Sequence, residues 1–233
     1  MDLNKSVILL TGGSSGIGKE TARLLTERGA VVYITGRDAE KLQHVADTLG
    51  CQALAVDMTD DLALAQGVEK IIAAHGHLDV LINNAGIGDF GPVEALDREQ
   101  FRKIFEVNVF GAGVLGGIVA KHFKERKRGH IINIGSSASL RGFPNGSVYS
   151  ASKFALRALS ECWRAELRPY NVRVTHVNPS EVTTAFFQSD RQEREEVANK
   201  LRPLEIAEMI VACLELDDRG FVPEFGVWAT NPF

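Results

Sequence analysis

The chain has 233 residues, 45% of them hydrophobic, and a net charge of −4 at pH 7. That supplies one sizeable core and excludes a disordered chain, while a mildly acidic balance gives no general attraction to nucleic acid or to an anionic membrane. Cys51, Cys162 and Cys213 stand far apart in no metal or disulfide spacing, which suits a reducing cytoplasm.

No N-terminal stretch reads as a signal peptide. The weakly polar run 107–120 is interrupted by Asn108 and by glycines, and reads as too short and too broken to span a bilayer. In chain order, short β-branched or apolar runs predict strands at 6–11, 31–35, 53–56, 80–82, 130–134, 173–177 and, less apolar, 226–229. Helical spacing predicts helices over 19–28, 40–49, 62–75, 97–126 and 149–169. This alternation implies a single α/β domain: a doubly wound parallel sheet of about seven strands with helices on both faces. Ligands of such sheets sit beyond the carboxyl ends of the strands, so the residues after each strand are the candidates for a site.

The first strand runs into TGGSSGIG at 11–18, and a helix begins within that motif. A helix N-terminus carries unpaired N–H groups and about half a positive charge. Glycines let that backbone approach a pyrophosphate. Gly12, Ser14, Ser15, Gly16, Ile17 and Gly18 are therefore candidate cradle residues, the alternative being a tight turn that holds no ligand. After the second strand, Gly36 stands where an NAD-selective site places a carboxylate for the ribose 2′-hydroxyl, and Arg37 follows. A guanidinium grips a 2′-phosphate through two hydrogen bonds, so these residues favour NADP(H) unless Arg37 is only a solvated loop charge. Asp38 reads as the cap of the next helix.

Asp57 follows the third strand; Asn83, Ala85 and Gly86 end or follow the fourth, as a turn or as a cofactor-facing segment. Ser136 and Ser137 follow the fifth. Tyr149 and Lys153, at i and i+4 of a predicted helix, share one face. A neighbouring cation favours a phenolate and lowers the phenol pKa from its usual value of about 10, which would make Tyr149 a general acid or base. Taken alone, the pair is also the common pattern of a half-buried aromatic beside a surface amine. The basic cluster at 124–130 falls where a long helix ends, and its cations complement the helix dipole. His75 and His77 have no third metal ligand in view.

With TGGSSGIG, NNAG at 83–86, Asn108, a serine near 136 and Tyr149-x-x-x-Lys153 in this order, the chain resembles the short-chain dehydrogenase/reductase family from about residue 5 to 184. The resemblance implies a Rossmann-type fold and hydride transfer between a nicotinamide cofactor and a small carbonyl or alcohol. It gives Ser136, with Ser137 as the fallback, the carbonyl oxygen. Tyr149 receives the proton transfer, and Lys153 the tuning of Tyr149 and the nicotinamide ribose. It assigns Asn108 to a kinked helix and a proton-relaying water. Asp57 goes to the adenine or to a turn, and Pro179, Val182 and Thr184 to the nicotinamide end. It further implies a homodimer or homotetramer in the cytoplasm.

Two features depart from the family pattern. Ser180 stands where glycine is usual, and the C-terminal PEFGVWATNPF lacks the Asp-Gly-Gly strand common in 3-oxoacyl thioester reductases. On the substrate side, Phe90, Phe143, Phe186 and Phe187 wall an apolar pocket or are ordinary packing, and 185–200 reads as a lid. Arg141 is the one candidate partner there for a substrate carboxylate. Three functions fit: an NADP(H)-dependent oxidoreductase of ketones or secondary alcohols, a 3-oxoacyl thioester reductase, and a nicotinamide-binding sensor without chemistry.

Overall fold

The strands are β1 (Val7–Leu10), β2 (Val31–Gly36), β3 (Gln52–Ala55), β4 (Val80–Asn83), β5 (Gly129–Ile134), β6 (Val172–Pro179) and β7 (Glu224–Val227). They form one parallel sheet in the order β3-β2-β1-β4-β5-β6-β7. Helices α1 (Gly16–Glu27), α2 (Ala39–Leu49), α3 (Asp61–His75), α4 (Arg98–Phe105), α5 (Ala112–Arg126), α6 (Ser147–Leu167) and α7 (Pro203–Glu215) fill the connections. The computed structural model describes residues 1–184, 186 and 196–232.

Successive side chains of a strand point to opposite faces. Val7 and Leu9 therefore enter one core, with Leu81, Ile131, Ile71 of α3 and Phe123 of α5. Ile8 and Leu10 enter the other, with Ile34, Ile82, Leu25 of α1 and Ile210 of α7. Burial on both faces is why the strands read as unbroken apolar runs. The edge strands β3 and β7, covered less, keep partly exposed residues. The chain winds outward from β1 in both directions, through β2 on one side and β4 on the other. A crevice opens at the carboxyl ends of the strands where the order reverses.

Local signals act as the sequence predicts at several ends. Asp38 caps α2 by accepting from Lys41 N at 3.0 Å. At the end of α5, Lys127 turns into the left-handed region (φ 52) beyond Lys124 and Arg126. All three cysteines are free.

Other boundaries move. α1 begins at Gly16 rather than 19, and β7 lies two residues earlier than expected. α7 was not anticipated: Ile206, Ala207, Ile210, Val211, Cys213 and Leu214 are all buried, so its pattern is too apolar to show a clear stripe. The helix expected over 97–126 is one path interrupted by a π-helical turn, Glu106–Gly111. Arg98–Arg126 is 29 residues long with a mean hydropathy of 1.5 in its most apolar window, so length and composition alone do not exclude a membrane span. That corrects the expectation drawn from 107–120. The apolar residues serve the interior instead, with Ile104, Val109, Leu115, Val119 and Phe123 buried.

Candidate active site

A cavity of about 910 Å³ lies at the carboxyl ends of the strands, between the first turn of α1 and the first turns of α6. At one end, Ser15 precedes α1 in extended conformation and makes no side-chain cap, and no acidic residue sits in the first turn. The first N–H groups of α1 are thus left for an anion. The four glycines divide the work. Gly12 turns through φ +68, and a Cβ there would lie 2.9 Å from Ala85 Cα. Gly18 lets the helix close on the loop, since its Cβ would lie 2.2 Å from Gly12 O. Gly18 therefore packs the cradle rather than lining it. These residues fit a dinucleotide pyrophosphate: an uncapped helix end in a turn that a side chain would fill.

The cradle is tied to the loop after β4. Thr11 Oγ1 accepts from Asn84 N and Ala85 N, both at 3.0 Å, and Asn84 Nδ2 donates to Thr11 O at 2.9 Å and to Gly12 O at 3.0 Å. Asn84 lies inside the NNAG motif but was not singled out from sequence. Asn83, which was, turns away from the cavity. β4 continues through it, and its Nδ2 donates to Asn133 Oδ1 on β5 at 2.9 Å.

Arg37 lines the cavity beyond Gly36, exposed, with no hydrogen bond or ion pair among the described residues. Asp57 also lines it. Its Oδ1 holds a turn, accepting from Thr59 N and Thr59 Oγ1 at 2.9 Å each.

At the other end stand Ser136, Tyr149 and Lys153. Tyr149 is 8% and Lys153 4% exposed, so both are buried at the wall of the cavity. The Ser136 side chain lies beside the Tyr149 phenol and favours its ionised form, and Ser136 and Ser137 both line the cavity. Lys153 Nζ donates to Ile134 O at 2.9 Å and lies 5.8 Å from the Tyr149 ring centre. The expected lowering of the phenol pKa is reversed. Burial pushes Tyr149 up to about 12, with the Ser136 side chain pulling the other way. Burial likewise pushes Lys153 down to about 8. Desolvation is the largest cause of both shifts.

Asn108 sits in the π-helical turn and does not line the cavity. Its Oδ1 accepts from Ile87 N at 2.8 Å, and its Nδ2 donates to Ile87 O at 2.9 Å and Ser152 Oγ at 3.0 Å. Ser152 in turn donates to Tyr149 O at 2.7 Å. Asn108 is thus a positioning residue that ties the β4 loop to α6. Asn108→Ala would remove three side-chain hydrogen bonds, and urea denaturation should show a loss of roughly 2–4 kcal/mol. A wild-type midpoint would remove that role.

A second buried chain supports the serine. Asn133 Nδ2 donates to Ser160 Oγ at 2.8 Å, and Ser160 Oγ donates to Leu156 O at 2.8 Å. His176 then donates from Nδ1 to Ser160 (3.0 Å) and accepts at Nε2 from Ser139 Oγ (3.3 Å). Ser139 Oγ accepts from Ser136 N at 3.1 Å. Gly135 makes room for the imidazole, since a Cβ there would lie 2.2 Å from His176 Nε2. Sequence reading missed His176, because nothing near it in the chain marks it.

Pro179, Val182 and Thr184 line the cavity after β6. The departure at Ser180 leaves the turn intact: its backbone φ is not positive, and its N–H donates to Val227 O at 2.9 Å. Phe143 and Phe186 line the cavity beside Tyr149. Phe187 and most of the expected lid lie outside the described residues. Arg141 stacks over Trp228, 5.6 Å from the ring centre. His75 bonds Tyr33, and His77 pairs with Asp79.

A family model described as short chain dehydrogenase matches residues 6–195. The chain is 38% identical over 185 residues to a 3-ketodihydrosphingosine reductase of Bacteroides thetaiotaomicron, a match that takes in 79% of this chain and 66% of that relative. The chain thus spans just under two thirds of that relative's length. An alcohol dehydrogenase of the archaeon Thermococcus sibiricus, solved with 5-hydroxy-NADP, is 28% identical with a TM-score of 0.89, covering 97% of both chains. A 3-ketoacyl-(acyl-carrier-protein) reductase of Brucella melitensis, solved with NADH, is 27% identical with a TM-score of 0.90, covering 99% of this chain and 100% of that one.

Proposed function

The chain belongs to the short-chain dehydrogenase family, and from that membership we propose that it is an NADP(H)-dependent oxidoreductase of ketones and secondary alcohols. The observation that carries the reading is one cavity with an uncapped helix N-terminus and Arg37 at one end and the Ser136–Tyr149–Lys153 group at the other. The dinucleotide, when bound, supplies or accepts the hydride. Gly12, Ser14, Ser15, Gly16 and Ile17 would hold its pyrophosphate and Arg37 its 2′-phosphate, with Pro179, Val182 and Thr184 at the nicotinamide end. Ser136 donates a hydrogen bond to the carbonyl oxygen, which gains charge as the ketone is reduced. Tyr149 Oη passes its proton to that oxygen, or takes it back in oxidation. Lys153, a buried ammonium under the phenol, stabilises the phenolate left behind.

The cofactor assignment is supported by the 5-hydroxy-NADP complex of the Thermococcus relative, while the Brucella structure carries NADH. Arg37→Ala tests it. Charge-assisted hydrogen bonds to a phosphate are lost with the guanidinium, so KM for NADPH should rise about 10–100-fold and KM for NADH should not move. An equal rise for both would sink the 2′-phosphate assignment. The likeness to the Brucella reductase favours a second reading within the same chemistry, a 3-oxoacyl thioester reductase. NADPH oxidation measured with 3-oxoacyl thioesters beside simple ketones decides between the two.

A further inference from the structure

The substrate side of the cavity is built from aromatic rings. The Tyr149 ring lies 5.4 Å from Phe90 and 5.5 Å from Phe186, and Phe143 lies 6.0 Å from Phe90. Phe143 and Phe186 face the cavity, with Phe90 wedged between Phe143 and the phenol. The backbone is shaped to seat these rings. A Cβ at Gly88 would lie 2.7 Å from Phe186 and 2.8 Å from Phe90, and one at Gly146 would lie 2.5 Å from Phe143. The loops that carry Phe90 and Phe143 are joined, since Gly91 N donates to Asn145 O at 2.9 Å. Asp89 further anchors the first loop to Lys103 of α4 at 3.8 Å. These contacts hold the Phe90 and Phe143 side of the collar in place.

Among the described residues, Asp89 lies 3.8 Å from Lys103, and Arg141 lies over the Trp228 ring. Glu99, Arg102, Lys103 and Glu106 also line the cavity, from α4 and the π-helical turn, whereas the surface beside the phenol is that of Phe143 and Phe186. Phe143 is 45% exposed at the mouth, an apolar surface that a ligand would cover.

Resting on the hydride-transfer reading above, we infer that this site takes a ketone carrying a bulky apolar substituent, aryl or long alkyl, seated against Phe143 and Phe186. Small hydroxylated ketones and 2-oxo acids are poor substrates. A polar substituent would lose its water against the rings without gaining a partner, whereas an apolar one gains by burial and by stacking.

The test measures kcat/KM with NADPH for acetophenone and 2-octanone against hydroxyacetone and pyruvate. The apolar pair should exceed the polar pair by roughly a hundredfold. Phe143→Ala should cut the ratio of apolar to polar kcat/KM roughly tenfold, while Phe143→Leu keeps the preference. Because Phe143 is half exposed, its truncation should leave the fold intact, and a circular dichroism spectrum checks this. Turnover that favours the polar pair, or a preference indifferent to Phe143→Ala, overturns the assignment. NADPH binding with no turnover of any carbonyl overturns the hydride-transfer reading, and the substrate class with it.

Discussion

Tyr149→Phe should lower turnover about 10²–10⁴-fold while dinucleotide affinity stays near wild type. The change removes one oxygen. The ring keeps its packing against Phe90 and Phe186, and Ser136 keeps the bond its Oγ accepts from Ala138 N at 3.1 Å. The fold has little reason to respond. The chemistry does, because the proton leaves with the hydroxyl. In the free protein the phenol is held neutral, pushed up to about 12 by burial, so at neutral pH it carries the proton that ketone reduction consumes. Lys153 is the cation nearest to hand when that proton departs, and it stays charged only below about pH 8. Steady-state kinetics beside fluorescence titration with NADPH separates the outcomes. Wild-type turnover in the variant would place the proton donor elsewhere. A wild-type protein that binds NADPH and turns over nothing would be a sensor.

The second large effect is on stability. His130 and His176 are both buried, and burial pushes each down to about 3. In the unfolded chain the same imidazoles titrate near 6.5. Between those values the unfolded state holds the extra protons, so acid favours it. The stability is complete above about pH 6.5 and is drawn down as pH falls towards 3. At pH 4 the loss comes to about 3 kcal/mol for each imidazole, and the two together rival the roughly 5–15 kcal/mol of a whole domain. Urea midpoints measured from pH 7 to pH 4 should fall steeply, and His130→Gln should remove about half of that dependence. An unchanged pH profile in the variant would show that His130 is already protonated or solvated in the folded state.

Much of the scaffold was legible because its causes are local. An apolar run buried on both faces marks a parallel strand wherever it occurs. The alternation of such runs with helical spacing already implied the doubly wound sheet. The glycine motif announces an open helix end, and the i, i+4 spacing by itself puts Tyr149 and Lys153 on one face of α6. Asp38 could be read as a cap because a cap acts over three residues.

What the tertiary structure alone decided depends on neighbours far away in the chain. The direction of the Tyr149 shift follows from how completely Phe90, Phe186 and the core exclude water, and no spacing records that. Asn83 and Asn84 are adjacent and chemically identical, yet the end of β4 sends one to Asn133 in the sheet and the other to Thr11 and Gly12 in the cradle. Of the adjacent serines, it is the Ser136 side chain that acts on the Tyr149 phenol, an effect that only the packing sets. His176, Asn108 and the aromatic collar acquire their roles from partners 15 or more residues away. Local periodicity wrote the elements into the sequence. Desolvation and long-range hydrogen bonding, which exist only once the elements are packed, determined which side chains meet at the site and which way their protons lean.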